Sequence, residues 1–182
     1  MRRLILAFLA AVCAPSLAFA QSVPVSRLTL NLGEAAVLRF DEGGGALLSE
    51  HGPASDLSPF VAAVARDNAD GRYDYATGGQ TAAIPHDRYP EAPPITPSVL
   101  RMAFVAIPNS DETLLVIENG YELALSYRVM ITRPGRAPEA SDVCLATPNR
   151  YHFEHWPYPI ERIEVVSLST RPWREGDPVP CI

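Results

Sequence analysis

His152 and His155, with Glu154 between them, are the only close pair of imidazoles in the sequence. On a strand, an offset of three residues sends them to opposite faces; on a helical turn they converge. Trp156-Pro157-Tyr158-Pro159 follows and argues for extended chain, and zinc helices need His at i and i+4. The alternatives for these histidines are a metal site and an aromatic-rich segment packed on a sheet edge, and the second is preferred. Asp67-Asn68-Ala69-Asp70-Gly71 has the look of a calcium loop. Setting Gly71 at the turn position, however, places Arg66 where the first acid belongs and Thr77 where the bidentate Glu belongs. An irregular site from Asp67, Asp70 and Asp74 stands as the alternative to a polar turn. No metal site is assigned.

Other chemistries find no support. All 15 basic residues are Arg, so Schiff bases, phosphate-loop lysines and Ser–Lys dyads are excluded. No Gly-x-Ser-x-Gly elbow is present, and Gly43-Gly44-Gly45 has neither a phosphate-loop motif nor a following helix. Acids are abundant, but no two are singled out as a hydrolytic pair. No catalytic residue and no cofactor are assigned. The richest surface candidate is aromatic. Tyr151, Phe153, Trp156, Tyr158 and Trp173 include both tryptophans, with Arg150, Arg162, Arg171 and Arg174 close in sequence. Aromatics beside Arg serve protein interfaces and sugar-binding faces. The candidate binding residues are Tyr151, His152, His155, Trp156, Tyr158, Arg162 and Trp173, with core packing as the competing role. Pro157 and Pro159 cannot donate to a central ladder, so the segment is expected at an edge or in a loop. At least one of Tyr151, Trp156, Tyr158 and Trp173 is then expected to stay substantially exposed beside an Arg and to form the contact surface.

Residues 1–20 read as a secretory signal peptide. Arg2 and Arg3 precede the apolar run Leu4 to Val12, and Ala18-Phe19-Ala20 is a small-x-small cleavage site, so Gln21 is the expected mature N-terminus. Residues 21–182 then form a single domain, periplasmic or secreted. No second stretch is long and apolar enough to span a bilayer. The formal net charge is −6, and loss of Arg2 and Arg3 leaves 13 Arg against 21 acids, a net of −8. Such a chain is not built to coat nucleic-acid phosphates. The expected partner is another envelope protein or a glycan. Cleavage also removes Cys13, leaving Cys144 and Cys181, which in an oxidising compartment are expected to pair. The loop of about 38 residues gives about 4 kcal/mol of chain-entropy stabilisation and tethers a Pro-rich tail.

The elements that must carry these residues are mostly strands. Thr113 to Glu118 is apolar and β-branched. Asn119-Gly120 follows, a pair suited to a type I′ hairpin turn. Tyr121 to Thr132 then alternates, with Leu123, Leu125, Tyr127, Val129 and Ile131 on one face. A hairpin over these two strands is the expectation. Leu28, Leu30 and Leu32 alternate in the same way, Gly33-Glu34 turns, and Ala36 to Phe40 returns. Val99 to Ile107 is apolar on both faces apart from Arg101, as a central strand should be. Glu161 to Ser169 shifts phase, which predicts either a bulge or a two-sided strand. Ser58 to Arg66 reads either as one short helix, with Ser58 as N-cap and Pro59 in its first turn, or as a strand, and the helix is preferred. Asp67 to Ser98 reads as a long Pro/Gly-rich connection.

The leader, the two sheet-like halves and the Cys144–Cys181 span resemble small exported immunoglobulin-like sandwiches. Trp156 lies between the cysteines, at a shorter spacing than in antibody domains. The resemblance implies an all-β, antiparallel immunoglobulin-like β-sandwich with at most one short helix. The functional expectation is an exported, non-catalytic binding or accessory protein of the cell envelope. The alternatives are a small periplasmic hydrolase acting on envelope glycan or peptide, and a periplasmic metal-binding protein.

Overall fold

The structure, a computed structural model, describes residues 23–71 and 89–182. The leader, its cleavage point, Asp74 and most of the long connection lie outside the described residues. The elements in chain order are β1 (Val23–Pro24), β2 (Arg27–Asn31), β3 (Glu34–Phe40), β4 (Ala46–Pro53), α1 (Pro59–Ala69), β5 (Leu100–Ala106), β6 (Thr113–Asn119), β7 (Ala124–Thr132), β8 (Glu139–Ser141), β9 (Arg150–Trp156) and β10 (Arg162–Arg171). They form two antiparallel sheets, a six-stranded one in the order β1-β4-β3-β5-β6-β9 and a four-stranded one in the order β2-β10-β7-β8.

The main core lies between the sheets. Leu38, Leu100, Met102, Phe104, Leu115 and Ile117 from the larger sheet meet Leu30, Leu125, Tyr127, Val129, Ile131 and Ile163 from the smaller. On β7 the expected alternation holds over Leu125, Tyr127, Val129 and Ile131, all buried, while Leu123 lies before the strand and is exposed. A second cluster forms on the outer face of the larger sheet. There Phe60, Val61, Val64 and Ala65 of α1 pack on Val105, Leu114, Val116 and Phe153. The helix starts where its cap predicts: Ser58 accepts a hydrogen bond from Val61 N–H, and Pro59 opens the first turn. It runs on to Ala69, into the stretch expected to be connection. Because α1 covers one face of β6 and the smaller sheet covers the other, every residue of β6 is buried. That explains an apolar run with no alternation.

The expected β6–β7 hairpin does not form. β6 belongs to the larger sheet and β7 to the smaller, so the chain crosses between layers after Asn119. Neither Asn119 nor Gly120 has the positive φ that a type I′ turn requires. Asn119 instead clamps the crossover. Its Nδ2 lies 3.0, 3.2 and 3.0 Å from the carbonyl oxygens of Leu123, Ala146 and Thr147, and its Oδ1 accepts from Tyr121 N–H. Gly120 extends the sheet by one more rung. Its N–H donates to Val99 O at 2.8 Å, and its carbonyl accepts from Ser98 N–H at 2.7 Å. A Cβ there would lie 1.9 Å from Thr96 O, so the position needs glycine for close approach. The expected turn at Gly33 is present, with a φ of 87°, but the strands it joins do not pair: β2 pairs with β10, whereas β3 pairs with β4 and β5.

β5 is central, between β3 and β6. β10 carries the predicted bulge: its register on β7 shifts between Val166 and Ser169, and Ser167 has a φ of 55°. Cys144 and Cys181 form a disulfide with Cα atoms 3.9 Å apart. Backbone bonds between Val143 and Ile182, and from Leu145 N–H to Pro180 O, seat the end of the tail beside it.

Candidate functional site at the edge strand

β9 ends the six-stranded sheet and pairs with β6 along its whole length. The edge position expected from Pro157 and Pro159 is therefore observed. Because side chains alternate, the strand deals its candidate residues onto two faces. His152, Glu154 and Trp156 point between the sheets. Tyr151, Phe153 and His155 point to the side that carries α1. The two imidazoles are on opposite faces, as an extended segment dictates.

On the inner face the residues are locked. Trp156 is 4% exposed, donates from Nε1 to Ser141 Oγ at 2.8 Å, and meets Phe104 edge-on at 6.3 Å. Trp156 is a core residue, so its expected place in a contact surface is corrected: a ring aimed between two sheets is covered by both. Glu154 is also buried. Its Oε1 accepts from Tyr127 Oη at 2.9 Å and from Cys144 N–H at 2.8 Å. Burial, reinforced by the neighbouring carboxylate, raises the Tyr127 phenol well above its ordinary pKa, so it stays protonated and donates. His152 is buried as well. Its Nε2 lies 3.0 Å from Thr147 O, which can only accept, so Nε2 carries the proton. Its Nδ1 has no hydrogen-bond partner among the described residues. Burial outweighs the bond to Thr147 and lowers the imidazole pKa to about 4. His152 is a neutral core group, away from any contact surface.

On the outer face Tyr151 and His155 are half-buried, while Phe153 and Glu118 are buried. Tyr151 stacks on Phe153 and meets Phe60 of α1 at 5.4 Å. Its phenol is pushed up to about 12, by burial first and then by the Glu118 carboxylate. Arg101, Glu118 and Tyr151 stand in register on three adjacent strands. Glu118 Oε2 is 3.8 Å from Arg101 Nη1, and its Oε1 accepts from Thr96 N–H. Further along β9, His155 Nε2 is 2.6 Å from Glu112 Oε2, with side chains 12% and 24% exposed.

The remaining candidates lie elsewhere. Tyr158, just past β9, is half-buried under the Arg133 guanidinium, which sits 5.0 Å from the ring centroid. Thr113 Oγ1 donates to its carbonyl. Arg162 on β10 faces Glu164 at 3.7 Å. Trp173 is half-buried in the tail beyond β10. The structure therefore joins His155 to Glu112 and Tyr158 to Arg133, but it does not gather the aromatics into one patch.

Glu112, Glu118, Arg101 and Arg133 could not be singled out in the sequence because each meets β9 or its end from another strand or turn. Glu154 had one local signal, its position between two histidines on an alternating segment. Asp67 lies on α1 and accepts from Tyr89 Oη at 2.6 Å, while Asp70 caps the helix. Among the described residues no group of three or more His, Cys, Asp or Glu is arranged to hold a metal. Among them, too, no helix is long and apolar enough to cross a membrane. Comparison with protein-family models, with curated proteins and with solved structures finds no match.

Proposed function

We propose that this chain is an exported, non-catalytic β-sandwich of the immunoglobulin-like kind that binds or supports another component of the cell envelope, a protein or a glycan. The observation that carries the reading is the position of β9. It pairs with β6 along one side, ends the larger sheet, and is flanked by half-buried Tyr151 and Tyr158 beside Arg101 and Arg133. An edge strand offers main-chain groups to an added strand, and aromatic–Arg pairs flanking it supply anchors. Chain crossings between the sheets after β2 and β6 suit a sandwich that presents its edges and ends for contact. Export rests on the leader. N-terminal sequencing of the envelope or secreted fraction should start at Gln21, and intact Met1 there would defeat it.

The binding test is a photo-cross-linker placed at Tyr158 in the producing cells. The component it captures is then purified, and its affinity is measured directly. The combined Tyr151→Ala, Tyr158→Ala variant should bind it at least about thirtyfold more weakly, since even one anchoring aromatic contributes about 2 kcal/mol or more. Unchanged affinity in a folded double variant defeats the β9 surface.

A second reading, a small hydrolase of envelope glycan or peptide, is favoured by Glu112 and His155. A carboxylate that holds an imidazole is the base-orienting unit of many hydrolytic sites. Turnover of such a substrate that disappears in folded His155→Gln would establish it. Turnover that survives the substitution would remove it.

A further inference from the structure

We propose that a groove on the opposite side of α1 from β9 docks an extended segment of a partner protein that presents an aliphatic side chain followed by Arg or Lys. The inference rests on the binding reading above and adds to it a second site with a partner chemistry. The groove measures about 490 Å³ and is open along one side. It lies where four pieces of chain meet: the β2–β3 crossover, the β4–α1 connection, α1 itself, and the end of β5 with the turn that follows it. Leu57, Ala62 and Val105 form its floor, and Leu32 and Pro108 stand on its rim.

Three features select the occupant. The first is shape. The volume suits a ligand-sized group, but the open side admits a continuous chain across the groove. The second is apolarity. Apart from Ser55 and Asp56, the lining residues are aliphatic or glycine, and Leu32, 42% exposed, is one of three large exposed hydrophobics among the described residues. That wall fits a branched aliphatic side chain. The third is charge. Asp56 is the one charged residue of the lining, it is exposed, and it has no ion pair or hydrogen bond among the described residues. A free carboxylate at the mouth of an apolar groove complements a cation beside an aliphatic group. The net charge, −8 without Arg2 and Arg3, favours approach of a basic partner.

The site is held in shape without a ligand. Leu32 N–H donates to Glu161 O, Gly33 N–H to Phe104 O at 2.8 Å, and Ala54 N–H to Gly33 O at 2.7 Å, which fixes one rim to both sheets. Ser58 caps α1 on the opposite rim. A preformed groove binds without the entropy of ordering its own walls.

The test titrates the isotope-labelled exported protein with a capped Gly-Leu-Leu-Arg-Gly peptide and follows backbone amide shifts. Saturable changes confined to Ala54–Leu57, Ala62 and Ala106 are expected. Asp56→Asn should weaken binding about two- to five-fold at low salt, the range of an exposed charge pair. Ala62→Trp, which fills the groove from α1, should abolish it at an unchanged unfolding temperature. If that variant fails to fold, Asp56→Lys provides the alternative and should weaken binding more than Asp56→Asn does. The proposal is overturned if the Gln analogue of the peptide binds as tightly, if hexylamine alone matches the peptide, or if no amide moves. Shifts on β9 instead of the groove overturn this site and leave the envelope-binding reading intact. Groove binding in a protein whose Tyr158 cross-links nothing supports the groove and removes the β9 surface.

Discussion

Trp156 and His152 differ from their neighbours Tyr151 and His155 because strand alternation turns them inward. Trp156 fills space between the sheets and satisfies its N–H on Ser141. Trp156→Ala therefore removes a large buried ring and leaves the Ser141 hydroxyl without that partner. We expect a loss of about 3–5 kcal/mol in urea unfolding; a loss under about 1 kcal/mol would contradict the core assignment. His152 makes a pH prediction. Its folded pKa, about 4, lies below the ordinary 6.5, so the unfolded chain takes up a proton that the folded chain refuses. The folded state keeps full stability from this group above about pH 6.5 and loses it as pH falls towards 4, by about 3 kcal/mol at most. The folded Glu34 carboxylate, held below its usual range by Asn31 and then His51, loses its contribution only at lower pH, below about 4.5. The urea midpoint of the wild type should thus drop between pH 7 and pH 5, and that of His152→Gln should drop much less. An equal drop in both would refute the assignment.

At the level of elements, the decisive feature is the crossover after β6. Asn119 and Gly120 have the composition of a tight hairpin turn but serve a different purpose. One side chain clamps three carbonyls, and the missing side chain lets the backbone pass Thr96. Gly120→Ala should therefore destabilise far beyond the usual strand Gly→Ala change. About 2–4 kcal/mol is expected, because backbone rather than a flexible side chain must give way. In a hairpin turn with positive φ the penalty would come from strain instead, and Gly120→Asn would largely rescue it. Here Gly120→Asn should be at least as damaging as Gly120→Ala, and thermal unfolding of the pair separates the two cases. The break of β9 before Pro157 and Pro159, the irregularity of β10 at its phase shift, and the cap of α1 at Ser58 and Pro59 were all readable in the sequence. All three are local signals. β4 gave little warning, because its central residues are only half-buried and its apolar pattern is weak.

For the whole molecule, the sandwich is closed by its C-terminal tail. Beyond β10, residues 172–182 are exposed except at half-buried Trp173 and Val179. The tail is anchored by the Cys144–Cys181 bridge with the backbone bonds beside it, and by the Glu175 carboxylate 3.5 Å from Arg150 Nη2. Replacing both cysteines with Ala should lower stability by about 4 kcal/mol for a sequence separation of 37. It should also make the bond after Arg174 rapidly cleavable by trypsin while β10 remains protected. Titratable thiols at Cys144 and Cys181 in the unreduced, unfolded protein would show instead that the bridge is not the natural state.

The sequence by itself determined the parts of this protein that depend on neighbours along the chain or on a count of residues. These are the pairing of Cys144 with Cys181, the alternation of β7 and β9, the cap of α1, and the prohibition on Pro157 and Pro159 inside a sheet. Each follows from backbone geometry or from the chemistry of one or two residues. Which sheet a strand joins was decided by tertiary structure, because burial between two layers is a property of distant segments. The same physics placed Trp156 in the core, gave His155 its carboxylate across 43 residues of sequence, and left Asp56 without a partner beside an apolar groove. A sequence can state which faces are apolar. Only packing decides what covers them, and it is the uncovered remainder that is available for binding.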